Sequence, residues 1–232
     1  MSVPITLITG SSKGIGKYLA EHYVGKGHRV IGCSRQMPEW KLNNYEHFTL
    51  SVYEEDDVKK VLSVVRKKYG RLDNLINNAG IASMNHSMLT PTETVHNVLS
   101  TNLVGTFLFC REAAKIMKKN KYGRIVNFSS VAVPLKLEGE SVYAASKAAI
   151  VMLTQTLAKE LADFGITINA IGPTPVKTDL IRSIPQEKID DLIQRQAIKR
   201  FGEFSDVSNV IDFFLQPESD FVTGQVIYLG GV

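Results

Sequence analysis

A tyrosine and a lysine lie four residues apart in the middle of the chain, and a serine precedes them. In a helix, Tyr143 and Lys147 project from the same face. An ammonium beside a phenol stabilises the phenolate, so we expect Lys147 to lower the pKa of Tyr143 from its free value of about 10. Ser130 can donate a hydrogen bond to an oxygen that becomes negative. Together the three side chains could protonate a carbonyl oxygen.

A glycine-rich segment, Thr9–Gly16, lies near the start of the chain. It follows a strand-like run and begins a helix-like run, which is typical of a loop that binds a dinucleotide pyrophosphate at a helix N-terminus. Gly10 permits a tight turn, Gly14 lets the backbone approach a phosphate, and Gly16 allows close helix–strand packing. The alternative is a structural turn without a ligand.

The residues that end the second predicted strand indicate which nicotinamide cofactor is used. NAD sites usually place a carboxylate there, about 20 residues after the glycine loop, where it binds the ribose 2′-hydroxyl. This chain has Ser34 and Arg35 instead. The Arg35 guanidinium suits a 2′-phosphate, and Lys13 adds a second positive charge. The pattern therefore predicts NADP(H) in preference to NAD(H), unless both are ordinary surface cations.

Short apolar runs alternate with longer helical patterns along the whole chain. The predicted strands are 3–9, 29–34, 46–52, 72–77, 124–129, 167–171 and 226–229, and the predicted helices are 15–27, 54–69, 92–120, 142–164, 187–199 and 206–215. This order predicts parallel strands with right-handed crossovers, and strands apolar on both faces indicate helices on both sides. We predict one α/β domain over residues 1–232, a doubly wound parallel sheet of the Rossmann type.

Composition and charge argue against several classes of protein. The 232 residues are 44% hydrophobic and carry a net charge of +4, which is not the footprint of a nucleic-acid-binding protein. We find no signal-peptide pattern and no apolar run of membrane-spanning length. The two cysteines form no CxxC pair and the five histidines are scattered, so we expect no metal site. These features predict a cytoplasmic protein without nucleic-acid or membrane partners.

Several further motifs make the chain resemble the classical short-chain dehydrogenases/reductases over essentially its whole length. Residues 77–80, Asn-Asn-Ala-Gly, match that family's NNAG element, and Asn102 falls at its catalytic asparagine. Thr178, five residues after Pro173, is similar to the threonine of its PGxxxT turn. Within the family, the resemblance is to 3-oxoacyl-[acyl-carrier-protein] reductases.

The resemblance implies a role for each matching residue. Tyr143 would be the general acid and base, Ser130 would polarise the substrate oxygen, Lys147 would also hold the nicotinamide ribose, and Asn102 would hold a water that links Lys147 to solvent. The implied cofactor-binding residues are Gly10, Ser12, Lys13, Gly14, Ile15, Gly16, Ser34, Arg35, Ser51, Val52, Asn78, Ala79, Gly80, Tyr143, Lys147, Pro173, Val176 and Thr178.

Two departures from the family pattern concern the cofactor site. Thr174, followed by Pro175, replaces the glycine of the PGxxxT turn, so we expect the loop over the nicotinamide to take a different path. Ser51 and Val52 stand where the family usually has an acidic or amide residue near the adenine. A weaker or water-mediated contact is expected there.

The resemblance implies an NADP(H)-dependent oxidoreductase that interconverts a ketone or 3-oxoacyl group and a secondary alcohol. It also implies a homodimer or homotetramer assembled through helices 92–120 and 142–164. Two alternatives remain: a non-catalytic NADP(H)-binding regulator on the same fold, and a sugar-nucleotide-modifying enzyme of the family's extended branch. That branch typically needs a longer C-terminal substrate domain than 232 residues allow.

Overall fold

The computed structural model describes residues 3–181 and 184–232. Within this part of the chain, seven strands form one sheet in the order β3-β2-β1-β4-β5-β6-β7, and every neighbouring pair is parallel. The strands are β1 (Ile5–Thr9), β2 (Arg29–Ser34), β3 (Tyr45–Thr49), β4 (Asn74–Asn77), β5 (Gly123–Phe128), β6 (Ile166–Gly172) and β7 (Val226–Tyr228). The predicted doubly wound parallel sheet is confirmed.

Eight α-helices accompany the sheet in the described residues. They are α1 (Gly14–Gly25), α2 (Glu55–Tyr69), α3 (Thr92–Leu99), α4 (Gly105–Asn120), α5 (Ala132–Leu135), α6 (Ser141–Leu161), α7 (Gln186–Gln194) and α8 (Phe204–Leu215). Short 3₁₀ turns lie at Ser87–Leu89, Ala162–Phe164, Asp179–Ile181 and Pro217–Ser219. None of the helices described has both the length and the apolar character needed to cross a membrane.

Helix α2 shows how local sequence produces these elements. Its buried residues, Val58, Val61, Leu62 and Val65, recur at helical spacing and form one apolar stripe. Its first turn is acidic and its last turn is basic, which complements the helix dipole. Gly70 ends the helix in the left-handed conformation that glycine adopts without steric cost.

The hydrophobic core has two halves, one on each face of the sheet. Leu7 and Ile8 are neighbours in β1, yet they belong to opposite halves because successive strand side chains point to opposite faces. Phe109 of α4 packs on the Leu7 face, whereas Phe214 of α8 packs on the Ile8 face. Both faces of the sheet are therefore covered, and functional groups collect at the strand ends.

The predicted helix 92–120 contains an interruption. Residues Ser100–Val104 form a π-helical turn between α3 and α4, and Asn102 lies inside it. Such turns insert an extra residue into a helix without changing the apolar pattern enough to be read from sequence. The predicted helix 187–199 was also too long, because α7 ends at Gln194 and the next residues form turns.

Candidate active site

The predicted functional residues meet at the carboxyl edge of the sheet. Gly10 follows β1, Asn78 follows β4, Ser130 follows β5 and Pro173 follows β6. Because all the strands are parallel, these four ends lie at one edge, where open α/β folds bind ligands. Gly10 and Pro173, which are 163 positions apart in sequence, thus lie at the same edge of the sheet.

The glycine loop has a conformation in which Gly10 and Gly16 lie too close to neighbouring backbone for a side chain to fit. Gly10 has a φ of +69°, and a Cβ there would lie 2.8 Å from the Ala79 Cα. A Cβ on Gly16 would collide with the Gly10 carbonyl oxygen. The Asn78 side chain donates hydrogen bonds to the carbonyl oxygens of Thr9 (2.9 Å) and Gly10 (3.1 Å). Glycine is required at both positions, and Asn78 ties the loop to the end of β4.

An open cleft of about 1870 Å³ runs along this loop. The residues that line it and were expected to bind a cofactor are Gly10, Ser12, Lys13, Gly14, Ile15, Ser34, Arg35, Val52, Asn78, Ala79, Gly80 and Thr178. Gly16 is not in the lining because it packs against Gly10, and Ser51 is not in it either. A bare glycine turn at the start of a helix, beside an elongated cleft, fits a dinucleotide pyrophosphate.

The two cations of the cleft have different surroundings. Lys13 Nζ lies 3.1 Å from a carboxylate oxygen of Asp179, so this lysine connects the glycine loop to the turn after β6. Arg35 is exposed at the cleft. The neighbouring Ser34 is buried, and its hydroxyl donates to the Gln36 carbonyl oxygen at 2.6 Å. Of these three expected contacts, Lys13 and Arg35 are exposed to solvent and Ser34 is buried.

Three aromatic residues that sequence reasoning missed support the glycine loop. The Tyr45 hydroxyl crosses over β2 to lie 2.9 Å from Ser11 Oγ, and His47 Nδ1 lies 2.6 Å from the same hydroxyl. The Trp40 indole donates to the Ser12 carbonyl oxygen at 2.9 Å, and its ring centroid is 4.7 Å from that of Tyr45.

The crossing is possible because β2 has Gly32 at that point. A Cβ on Gly32 would overlap the Tyr45 hydroxyl. A glycine inside a strand often marks such a close approach. This glycine was the available sequence signal, although it could not identify Tyr45 as the partner.

A second cavity adjoins the cleft and contains the ionisable and hydroxyl side chains. Ser130, Tyr143 and Lys147 all line it. Most of its other walls are apolar, namely Ile15, Ala82, Phe128, Val131, Ala132, Leu137, Pro173, Pro175, Val176, Ile181, Ile184 and Leu192. The structure therefore brings the predicted serine, tyrosine and lysine together in a poorly hydrated pocket.

The pKa of Tyr143 moves in the direction opposite to the one expected. Although part of the residue is accessible, desolvation of the phenol raises its pKa to about 12. The hydrogen bond with Ser130 acts to lower this pKa, and the charge of Glu140 acts to raise it. Lys147 Nζ lies 5.9 Å from the tyrosine ring centroid. The expected net lowering by Lys147 was wrong for this structure, because burial dominates.

Lys147 is buried, and its own pKa is lowered to about 8 by desolvation. Its Nζ donates to the Phe128 carbonyl oxygen at 2.8 Å. A Cβ on Gly80 would lie 3.3 Å from this Nζ, so the end of the NNAG motif packs directly on the ammonium. The lysine thus reaches from α6 to the boundary between the pocket and the cleft.

The Asn102 side chain is engaged with protein groups. Its Oδ1 accepts from the Ile81 amide at 2.9 Å, and its Nδ2 donates to the Ile81 carbonyl oxygen at 3.0 Å. The same Nδ2 donates to Ser146 Oγ at 2.9 Å, one residue before Lys147. Asn102 therefore fastens the π-helical turn to the NNAG loop and to α6. The Asn102 main-chain carbonyl accepts from Thr106 Oγ1 at 2.8 Å, and the water expected at this residue stays a prediction.

The altered turn after β6 is anchored by its threonine. Thr174 is buried, and its hydroxyl donates to Gln196 Oε1 at 2.6 Å. The Gly202 amide donates to the Pro175 carbonyl oxygen at 2.9 Å, and Val176 forms a bridge with Gly202. The turn is thus fastened to the segment between α7 and α8. A glycine at position 174 could not make the hydroxyl contact.

Comparisons with known proteins agree with this geometry. The sequence model of the short chain dehydrogenases matches residues 4–189. A 3-oxoacyl-[acyl-carrier-protein] reductase FabG of Staphylococcus epidermidis is 31% identical over 235 residues, covering 97% of this chain and 96% of the relative. The Escherichia coli FabG is 29% identical over 233 residues, with coverages of 98% and 96%.

Solved structures show the same relationship. ElxO with NADP bound superposes with a TM-score of 0.90 at 32% identity, covering 98% of this chain and 97% of ElxO. Ligand-free aldohexose dehydrogenase of Thermoplasma acidophilum gives a TM-score of 0.90 at 29% identity, with coverages of 99% and 93%. Fold, motifs and relatives agree, and the chain belongs to the short-chain dehydrogenase family of oxidoreductases.

Proposed function

We propose that this protein is an NADP(H)-dependent oxidoreductase that interconverts a ketone or 3-oxoacyl group and a secondary alcohol. The observation that carries the proposal is the meeting of Ser130, Tyr143 and Lys147 in an apolar pocket that adjoins the glycine-loop cleft. A nicotinamide dinucleotide in the cleft would supply or accept the hydride. The side chains of the pocket would transfer the proton and stabilise the developing negative charge.

Each of the three side chains has a distinct task in the reductive direction. Tyr143, with a pKa of about 12, is protonated at neutral pH and donates its proton to the carbonyl oxygen. The Ser130 hydroxyl donates a hydrogen bond to the same oxygen as its charge grows. Lys147, with a pKa of about 8, carries a positive charge at neutral pH and stabilises the phenolate left on Tyr143.

The preference for NADP(H) rests on the end of β2. Arg35 lies exposed at the cleft, and no carboxylate stands beside it at positions 33–36. A guanidinium there is suited to the ribose 2′-phosphate, which NAD lacks. Lys13 could contribute a second charge by exchanging its contact with Asp179 for the phosphate. One similar structure, ElxO, contains NADP.

The substrate class follows from the pocket and the relatives. The largely apolar walls of the pocket suit the carbon chain of a carbonyl compound. The FabG relatives reduce 3-oxoacyl groups, and the similar aldohexose dehydrogenase acts on a sugar. The 3-oxoacyl substrates of FabG are ones in which a carbonyl and a secondary alcohol interconvert.

The test is a panel of ketones and 3-oxoacyl thioesters, with oxidation of NADPH followed by its absorbance. We expect turnover by the wild type and a loss of kcat of roughly 1000-fold in Tyr143→Phe, with unchanged affinity for NADPH. Tyr122→Phe, just before β5 at the opposite edge of the sheet, is the matched control. NADPH binding without any turnover would favour the non-catalytic regulator instead.

A further inference from the structure

The substrate pocket contains a buried carboxylate that the reaction described above does not use. Glu140 is 7% exposed and lies three residues before Tyr143. It lines the pocket that contains Tyr143, and it also lines an adjoining outer cavity. Its position is therefore at the junction between the pocket and the outer cavity.

Glu140 has no partner for its carboxylate among the residues that the structure describes. Its main chain is engaged, since the amide donates to Leu137 and the carbonyl accepts from Ala144. The side chain forms no hydrogen bond and no ion pair within 4 Å in residues 3–181 and 184–232. Lys188 influences it electrostatically from a greater distance.

Other buried acids in the same chain are satisfied. The Asp73 carboxylate accepts from Arg71 and from the Ile5 amide. The Glu112 carboxylate accepts from both Arg111 and Lys115. Glu140 is the exception among them: most of the residue is buried, and its unpaired carboxylate lies in the lining of a pocket beside Tyr143, where a ligand could donate a hydrogen bond to it.

The surroundings of Glu140 favour a neutral ligand group. The described lining of the outer cavity has a formal net charge of zero when Glu140 is included, because three basic residues accompany three acidic ones: Lys136, Lys188, Arg195, Glu138, Glu140 and Asp191. The inner wall next to Glu140 is apolar, with Leu137, Ile184 and Leu192. A carboxylate in such a wall accepts hydrogen bonds, and a hydroxyl group can donate one without introducing charge.

We propose that Glu140 is a specificity-determining residue that accepts a hydrogen bond from a hydroxyl group of the substrate. The inference rests on the proposed function, because that hydroxyl would belong to the carbonyl compound held at Tyr143. It narrows the substrate class to hydroxylated ketones and hydroxylated 3-oxoacyl compounds, in preference to plain aliphatic ones.

The test uses three esters that differ at one carbon: ethyl 3-oxobutanoate, its 4-hydroxy derivative and its 4-methoxy derivative. The methoxy compound keeps the oxygen but has no hydrogen to donate. For the wild type we expect kcat/KM to be roughly 10- to 100-fold higher for the hydroxy ester than for the methoxy ester. In Glu140→Leu this ratio should fall to about one.

Two further variants separate specificity from a general structural effect. Glu140→Gln keeps the size and one acceptor oxygen, so its ratio should lie between those of the wild type and Glu140→Leu, and it serves if the leucine variant fails to fold. Glu187→Gln removes an exposed carboxylate from the nearby α7 and should leave the ratio unchanged.

Binding of the same esters to the complex with NADP⁺ gives an independent measurement, because no reduction can occur there. The hydroxy ester should bind most tightly to the wild type and should lose that advantage in Glu140→Leu. Equal binding of the hydroxy and methoxy esters to the wild type overturns the inference about Glu140. Selective binding without reduction by NADPH would overturn the proposed function and leave this inference standing.

Discussion

The cofactor cleft and the catalytic pocket share an edge of the sheet, but they are built from different groups. In the cleft, neutral hydrogen bonds from Asn78 and Trp40 hold the glycine loop, and the charged groups, Arg35 and the Lys13–Asp179 pair, are exposed. In the pocket, ionisable side chains are buried. Desolvation displaces the pKa of Tyr143 to about 12 and that of Lys147 to about 8.

This difference reflects what each region has to do. A glycine loop at a helix N-terminus binds phosphate through its shape and its main-chain amide groups, so it needs no buried charged side chain. Proton transfer needs side chains whose proton affinity has been altered, and burial is the means available. We therefore expect substitutions in the pocket to change rates strongly and substitutions around the cleft to change cofactor affinity modestly.

After Tyr143→Phe, the largest effect is expected from Lys147→Met. Removing the ammonium leaves the Tyr143 phenolate without a nearby cation, so kcat should fall at least about 100-fold. In the wild type, kcat/KM for reduction should be constant below pH 8 and should fall as Lys147 loses its proton above it. A pH profile of steady-state kinetics measures both effects. A profile with no decline around pH 8 would contradict the role given to Lys147.

The same variant should be more stable than the wild type at neutral pH. Folding lowers the Lys147 pKa from 10.5 to about 8. The buried charge therefore lowers the free energy of unfolding by its full amount below pH 8, and this destabilisation is lost above pH 10.5. The shift corresponds to about 3 kcal/mol at neutral pH. Thermal unfolding should show a raised Tm for Lys147→Met, whereas Lys159→Met, exposed on the same helix, should show none.

A smaller effect is expected from Arg35→Ala in the cleft. The ratio of kcat/KM with NADPH to that with NADH should fall roughly tenfold, because one charged hydrogen bond to the 2′-phosphate is lost at an exposed site. Raising the salt concentration should weaken NADPH binding to the wild type and should affect the variant less. Arg66→Ala, exposed on α2, is the control. A wild type that prefers NADH would contradict the proposed cofactor.

The smallest effect is expected from Tyr45→Phe. Loss of its hydroxyl removes the hydrogen bond with Ser11 of the glycine loop. The KM should therefore rise about threefold for NADPH and NADH alike. Trp40 is the only tryptophan in the chain, so its fluorescence reports cofactor binding beside Ser12. Tyr122→Phe is again the control. A change in the NADPH/NADH ratio would show that Tyr45 discriminates between cofactors, which we do not expect.

Much of the fold could be predicted because its signals are local. All seven predicted strands are present, and most of them are short apolar runs bounded by turn residues; β3, which contains Glu46 and His47, is less apolar. The spacing of Tyr143 and Lys147 places both on one face of α6 without any tertiary information. The π-helical turn at Asn102 was missed because a single inserted residue barely alters the periodicity.

Residue types at short spacings were enough to predict the sheet, the glycine loop, the family and the candidate reacting groups. The environment of those groups became visible in the folded chain alone. The Tyr143 pKa rises because segments far apart in sequence pack around the phenol, and Tyr45 reaches Ser11 because β2 and β3 are neighbours at Gly32. Among the described residues, the Glu140 side chain has no partner in the same pocket for a similar reason. Burial and long-range contacts depend on packing between segments far apart in the chain, and no local pattern encodes them.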